Sequence, residues 1–307
     1  MTLQQMEYIV AVNKYRHFVT ASEQCGVTQP TLSTMIQRLE EELGTRIFDR
    51  SKHPVEPTAM GIRIIKQAEV ALTEMKRIRE LVESESATLS GPLRIGIIPT
   101  LAPYLVPDMI RIFQEKYAEI ELTVHEMTTV RLIEELRKGM IDLMIAATPL
   151  DQSDFLEIPL YYEKFVAYFA DADACPEDVL AADHMPMQNL WVLQEGHCLR
   201  DQTFNFCKNY GGFNKTYEAG SIDTLVRIVD KNGGYSVIPE LHLPFLSDNQ
   251  KQNVREITSP PAVREVSLVI RKDFIKERML NAVADAVKQI IPEEMLDGRL
   301  KKFAIRL

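Results

Sequence analysis

Apolar residues near the start of the chain recur at helical spacing. Leu3, Met6, Ile9 and Val12 mark one stripe, and a second short helix around Val19 to Cys25 ends at Gly26, a residue suited to the left-handed position that closes a helix. Thr28 is an N-cap candidate and Pro30 fits a first turn, while Leu32, Ile36, Leu39 and Leu43 recur at i, i+4, i+7 and i+11. That pattern predicts a third helix after a tight turn. Its polar side offers Gln29, Thr31, Ser33, Thr34, Gln37 and Arg38, side chains able to donate to phosphates and base edges in a major groove. The run RIFDRSKHPVEPT places Arg46, Arg50, Lys52 and His53 near a turn broken by Pro54 and Pro57, the makings of a wing.

Between Thr58 and Ser86 the period stays helical. Ile64, Ala68, Ala71, Met75, Ile78 and Val82 follow the alternating four-and-three spacing of a coiled-coil stripe. One helix cannot bury such a stripe, so a second copy of the chain is expected against it. SATLSGPLR, with its Ser, Gly and Pro, reads as a hinge. From Leu93 the pattern becomes short β-branched strands alternating with helices, which predicts parallel α/β construction. LRIGIIP, ELTVHEM, IDLMIAA, EKFVAYFA, NLWVLQ, YSVIP and VSLVIRK are the candidate strands. Helices are expected at Pro103 to Tyr117, Val130 to Gly139, Ile222 to Asn232 and Phe274 to Ile291. Open α/β sheets hold ligands beyond the carboxyl ends of their strands, which groups Thr100, Thr129, the start of EGHCLRD and Arg271 around one crevice.

Composition narrows the function. With 307 residues and 46% apolar content the chain can build two or three domains with sizeable cores. No run approaches the roughly 18 apolar residues of a membrane helix, and MTLQQMEYIVAVNKYRHF lacks the form of a signal peptide, so a cytoplasmic protein without membrane contact is expected. Four cysteines are too few for a secreted disulfide framework. Net charge is −9, and residues 1 to 58 hold six Lys or Arg against seven Asp or Glu, which counts mildly against nucleic acid. Two thiols, Cys198 and Cys207, stand nine residues apart in EGHCLRDQTFNFC. On a helix they would sit about 13 Å apart and face opposite ways, whereas a disulfide needs Cα atoms within about 7 Å. Joining them would therefore require the segment to change shape. Cys198 follows a strand-like run, at a helix start beside His197 and Arg200, surroundings that lower a thiol's pKa. The gap fits no common zinc spacing.

The run FVTASEQCGVTQPTLSTMIQRLEEELGTRIFDRSKHPVEPTAMG closely resembles the winged helix-turn-helix of LysR-type transcriptional regulators, with Ala21, Gln29, Pro30, Leu32, Ser33, Ile36, Leu39, Glu40, Leu43, Gly44, Phe48 and Arg50 at the matching positions. GMIDLMIAATP and GGYSVIPEL resemble the regulatory region of the same family. The resemblance implies a multidomain chain: an α winged helix-turn-helix over 1–58, a linker and dimerisation helix with hinge over 59–89, and an α/β regulatory domain over 90–307. That domain would be two-lobed like a periplasmic binding protein, lobe I being about 90–161 with 268–307 and lobe II about 162–267. It implies double-stranded DNA as partner, read by Gln29, Pro30, Thr31, Ser33 and Gln37, with Arg50 and Thr58 toward phosphate. A homodimer through the linker helix, a homotetramer and RNA polymerase also follow as expected partners. Cys25 departs from the leucine usual at that position and reads as a small buried filler, and Cys175 reads as a loop thiol without a task.

GPLRIGIIPTLAPYL and EGHCLRDQ…FC are closer to the family's peroxide-sensing branch. By that resemblance Cys198 is the peroxidatic thiol and Cys207 the resolving one, joined as a reversible disulfide. Thr100, Thr129, His197, Asp201 and Arg271 would shape the peroxide pocket, with no cofactor and no metal. The implied outcome is activation of oxidative-stress genes, reset by a cytosolic thiol reductant of the glutaredoxin or thioredoxin type. Two rivals stand beside it. A thiol peroxidase would have no use for sixty residues of helix-turn-helix, so the chain is not expected to be an enzyme. A LysR regulator that senses a metabolite in the inter-lobe cleft is the alternative.

Overall fold

A computed structural model describes residues 1–84, 89–171, 179–181, 189–194, 219–258 and 261–304. The chain divides into two compact units, Met1–Ser86 and Ala87–Leu307.

The first unit holds α1 (Leu3–Tyr15), α2 (Phe18–Gln24), α3 (Gln29–Leu43), a small antiparallel ribbon of β1 (Phe48–Asp49) and β2 (Glu56–Pro57), and α4 (Ala59–Ser84). Thr2 and Gln5 close a reciprocal capping box at the start of α1. Gly26 and Gly44 take φ of +65° and +63° after α2 and α3, the left-handed turns their lack of a Cβ permits. Tyr8, Ile9, Val12, Leu32, Ile36, Leu39, Ile47 and Phe48 form the core. Leu43, expected on the buried face, is 39% exposed because α3 has run past the core by its last turn. The stripe of α4 also divides. Ile65 and Ala68 are buried in the unit's own core, Ile64 packs against it, and farther along Met75 and Ile78 are exposed. An apolar seam for a second copy is therefore shorter than the periodicity suggests.

In the second unit the elements run β3 (Gly91–Ile97), α5 (Ala102–Lys116), β4 (Ile120–Glu126), α6 (Thr129–Arg137), β5 (Leu143–Thr148), β6 (Phe155–Phe169), β7 (Val179–Ala181), β8 (Leu190–Trp191), α7 (Ile222–Asn232), β9 (Tyr235–Pro239), a 3-10 turn Glu240–Phe245, α8 (Asp248–Lys251), β10 (Val254–Thr258), β11 (Val263–Arg271) and α9 (Glu277–Ile290). The sheet is mixed where wholly parallel construction was expected. β3 pairs β4 and β5 in parallel, but β11 runs antiparallel between β5 and β6, because it enters the sheet from the other end. Two cores result, one around Leu93, Ile95, Leu143, Ile145 and Val283, the other around Phe165, Tyr168, Val226 and Ile238. The 15-residue β6 and the 9-residue β11 serve both, so they are the crossing between lobes. β5 is buried at every residue, as a strand covered on both faces must be.

Gly61 reports how tightly the ribbon packs on α4: a Cβ there would lie 2.0 Å from the Ile47 carbonyl oxygen. Gly61→Ala should destabilise the N-terminal unit by about 1–3 kcal/mol, the usual cost of overpacking. Denaturant unfolding of the full-length protein measures it, and an unaltered transition would refute the close approach.

Candidate functional site

In β3 and β4, Ile97 lies opposite Glu126, so Thr100 and Thr129, each three residues farther on, emerge at the same end of the sheet. β5 ends there too, since Ile97 also pairs with Ile145. Both α5 and α6 begin at this end and direct their positive N-termini toward it. The strand register thus places Thr100 and Thr129 at the same end of the sheet.

The side chain that meets Thr100 there is that of Arg264, which was not among the expected site residues. It sits near the start of β11, directly across from Glu163 of β6. Both side chains are fully buried and joined Nη2 to Oε2 at 2.6 Å. The Nε group donates to the same oxygen at 2.7 Å. From its other edge the guanidinium donates to the Thr100 hydroxyl at 2.9 Å and to the Thr100 carbonyl at 3.1 Å. The remaining Glu163 oxygen accepts the Leu241 N–H at 3.0 Å. Phe165 lies against the cation, ring centre 5.5 Å away. One buried pair therefore ties the end of β3 to the turn after β9.

Beside it Tyr104 of α5 shares a 2.9 Å hydrogen bond with His242 Nδ1. Burial pushes the Tyr104 hydroxyl up and holds His242 below its ordinary value, so both are neutral near pH 7. Two buried hydroxyl oxygens, those of Thr129 and Tyr161, have no hydrogen-bond partner among the described residues. Burial, with the Glu163 charge in second place, pushes the Tyr161 hydroxyl well up, so it stays protonated. Buried hydroxyls are normally satisfied.

Arg271 is not part of this cluster. β11 is antiparallel to β5, so its last residue comes out at the opposite end of the sheet, about 23 Å from Arg264 at strand rise. There Arg271 bonds Asp273 and the Arg137 carbonyl. The expectation failed because it counted β11 as parallel. With the direction reversed, the arginine that meets Thr100 is the one at the strand's beginning. His197, Cys198, Asp201, Cys207 and Cys175 lie outside the described residues.

On α3, Gln29, Pro30, Thr31 and Gln37 are exposed and Ser33 is half-buried. Gln37 donates its amide to Glu41 at 3.1 Å. Arg50 donates to Ser33 at 3.1 Å and to Glu40 at 3.2 Å. Glu40 in turn accepts the N–H groups of Ile47 and Phe48, fixing α3 to the ribbon. Thr58 was expected at phosphate, but its donors are used internally. Its hydroxyl donates to the Arg46 carbonyl and accepts from Gly61, and its N–H donates to Ile47. It is a helix cap.

Two family models match the chain, one described as the bacterial regulatory helix-turn-helix protein of the lysR family over residues 3–62, the other as the LysR substrate binding domain over residues 86–291. The chain belongs to the LysR family. Among its relatives are a hydrogen peroxide-inducible genes activator of Haemophilus influenzae, 33% identical over 299 residues with 95% of this chain and 99% of the relative covered, and the DNA-binding transcriptional dual regulator OxyR of Escherichia coli K12, 32% identical with 98% of each covered. A full-length OxyR variant from Pseudomonas aeruginosa is similar in structure, with TM-score 0.78, 32% identity, and 97% of this chain and 98% of that one covered. A helix-turn-helix LysR regulator accounts for the exposed polar side of α3.

Cys25, the cap residue of α2, is half-buried, and burial together with the charge of Glu7 raises its thiol above the ordinary value. That disfavours the reactive thiolate.

Arg264→Met alone leaves Glu163 as an unpaired buried charge and should cost about 3–5 kcal/mol, whereas Arg264→Met combined with Glu163→Met should recover most of it. Urea unfolding of Arg264→Met, Glu163→Met and the double variant decides. A double variant as unstable as the sum of the singles would mean the two side chains are not coupled.

Proposed function

We propose that this LysR regulator senses hydrogen peroxide through a reversible Cys198–Cys207 disulfide and activates genes in response. The observation that carries the reading is the buried Arg264 guanidinium directed onto Thr100 at the carboxyl ends of the strands. Convergent donors in a water-poor site stabilise an oxygen that gains negative charge, which is what peroxide cleavage requires. The names of the relatives in Haemophilus influenzae and Escherichia coli agree with it.

In this reading the Cys198 thiolate attacks one peroxide oxygen. An S–O bond forms, the O–O bond breaks, and sulfur is oxidised by two electrons as peroxide is reduced. The departing hydroxide is held by Arg264, Thr100 and Thr129, and takes a proton through Asp201 and His197 to leave as water. The Cys207 thiolate then attacks the sulfenic sulfur, forming the disulfide and releasing a second hydroxide, which is protonated in turn. A dithiol reductant of the glutaredoxin or thioredoxin type resets the pair by taking up the oxidation itself. A separation of nine positions makes the disulfide incompatible with a helix across that segment, so bond formation is also a change of shape.

DNA is contacted by Gln29, Pro30, Thr31, Ser33 and Gln37 in a major groove, with Arg50 at phosphate. The chain acts as a homodimer, or a tetramer built from two, in the cytoplasm and alongside RNA polymerase. Met75 and Ile78 supply one apolar seam, and an open apolar groove of about 700 Å³ along α5 and the edge strand β4, lined by Val106, Ile110, Leu122 and Val124, supplies another. Two-fold pairing sets two reading heads about 34 Å apart on successive turns of DNA. The alternative, a metabolite held in the inter-lobe cleft, is favoured by the hydroxyls of Thr129 and Tyr161, which have no hydrogen-bond partner among the described residues.

Stoichiometric peroxide should produce a Cys198–Cys207 peptide crosslink that thiol reverses, read by mass spectrometry. Cys198→Ser should abolish the peroxide response of a target promoter, and a retained response would favour the metabolite. Arg264→Gln should slow thiol oxidation about 100-fold, as loss of an oxyanion donor does, while Arg271→Gln should leave the rate unaltered. Equal effects of the two would reject the assignment of Arg264.

A further inference from the structure

Arg264 can act on an oxygen at Thr100 only if its guanidinium faces that way, and the geometry shows what turns it. A guanidinium is a rigid planar fork, so fixing one edge fixes the direction of the other. Nε and Nη2 are held by one Glu163 oxygen at 2.7 and 2.6 Å, and Nη1 and Nη2 then meet Thr100. The Glu163 carboxylate is itself prevented from rotating, because its second oxygen takes the Leu241 N–H at 3.0 Å. Cross-strand register places the two Cα atoms opposite each other, so both side chains leave the sheet on one face. Leu241 adjoins His242, whose ring bonds Tyr104.

From this we infer that Glu163 is a positioning residue for the peroxide reaction: it touches no reactant but aims Arg264 at the oxygen that Thr100 also binds, and it takes its own orientation from the turn after β9. The inference rests on the peroxide reading above. It predicts more than stability. A carboxylate kept only to neutralise a buried cation could be shortened or replaced, with Arg264 left in place, at no cost to the chemistry. A carboxylate that aims the cation could not.

The test measures two rates on the Cys198 peptide of the full-length protein by mass spectrometry, oxidation by hydrogen peroxide and alkylation by iodoacetamide. Both reagents need the thiolate, so their ratio cancels the thiolate fraction and reports oxygen-directed assistance alone. Glu163→Gln should lower that ratio about tenfold or more, Arg264→Gln should lower it at least as far, and the double variant should fall no further than Arg264→Gln, the signature of two residues acting as one. Glu163→Asp keeps the charge but withdraws the carboxylate by one methylene. It should fall between the wild type and Glu163→Gln, and it carries the test if the amide variant does not fold. A wild-type ratio in Glu163→Asp and Glu163→Gln, with only thermal stability reduced, would overturn the inference and leave the peroxide reading intact. A wild-type thiol oxidised no faster than a free cysteine would overturn both.

Discussion

The regulatory unit is organised around a charge that has been taken out of water. Desolvating a guanidinium and a carboxylate costs several kcal/mol per ion, and mutual attraction repays it only when the remaining donors and acceptors are also satisfied. Here they are used in both directions: Arg264 engages the hydroxyl and carbonyl of Thr100, and Glu163 accepts the Leu241 N–H. The pair sits where β6 and β11 pass from one apolar core to the other. A cross-strand contact at that crossing holds elements of both lobes by hydrogen bonds that cannot be exchanged for water. The opposite face of the same strands carries a second polar set, in which Glu265 accepts from Thr148 and Tyr162, each at 2.9 Å. The crossing is braced on both faces, and geometry at Thr100 therefore depends on residues far from it in sequence.

Such bracing suits a sensor that signals by covalent chemistry. A binding protein that closes on its ligand needs a hinge free to bend. A thiol switch needs a fixed pocket for its oxygen chemistry and a separate segment whose shape the disulfide alters. Under the proposed reading the buried ion pair meets the first need, and a Cys198–Cys207 disulfide would meet the second.

Periodicity made much of this legible. The helix-turn-helix was readable from the spacing of Leu32, Ile36 and Leu39 and from the glycines that end the helices, because those positions answer to local geometry. Strand positions were also readable, since β-branched runs such as LRIGI and VSLVI mark them. Strand direction was not. Whether β11 enters the sheet parallel or antiparallel is decided by the chain's path over more than a hundred residues, and that one bit of topology exchanged Arg271 for Arg264. Two signals near Arg264 were available. Arg264 and Glu265 are charges inside a largely apolar run, AVREVSLVI, and Glu163 and Lys164 stand in a similar place in LYYEKFVAYF. Charges inside buried strands are expected to be paired, and looking for the partner of each would have joined them. The α4 stripe misled in another way: its spacing is real, but its first turns are covered by the unit's own core.

Net charge misled as well, and the reason is local. Residues 1–58 carry more acid than base, which argues against a surface that attracts phosphate. Yet several of those acids are engaged within the unit. Glu40 is 11% exposed and is occupied by two backbone N–H groups and Arg50. Glu56 is paired with Lys52 across the ribbon turn, and Glu41 holds the Gln37 amide. The exposed beginning of α3, by contrast, carries no acid from Gln29 to Arg38. Field strength near a groove depends on the charges within about a Debye length that are not already neutralised, so a count over the domain says little about this face. An acidic domain can present a neutral-to-basic helix to DNA when its carboxylates serve as internal acceptors, and here the glutamate that joins helix to wing is such a carboxylate.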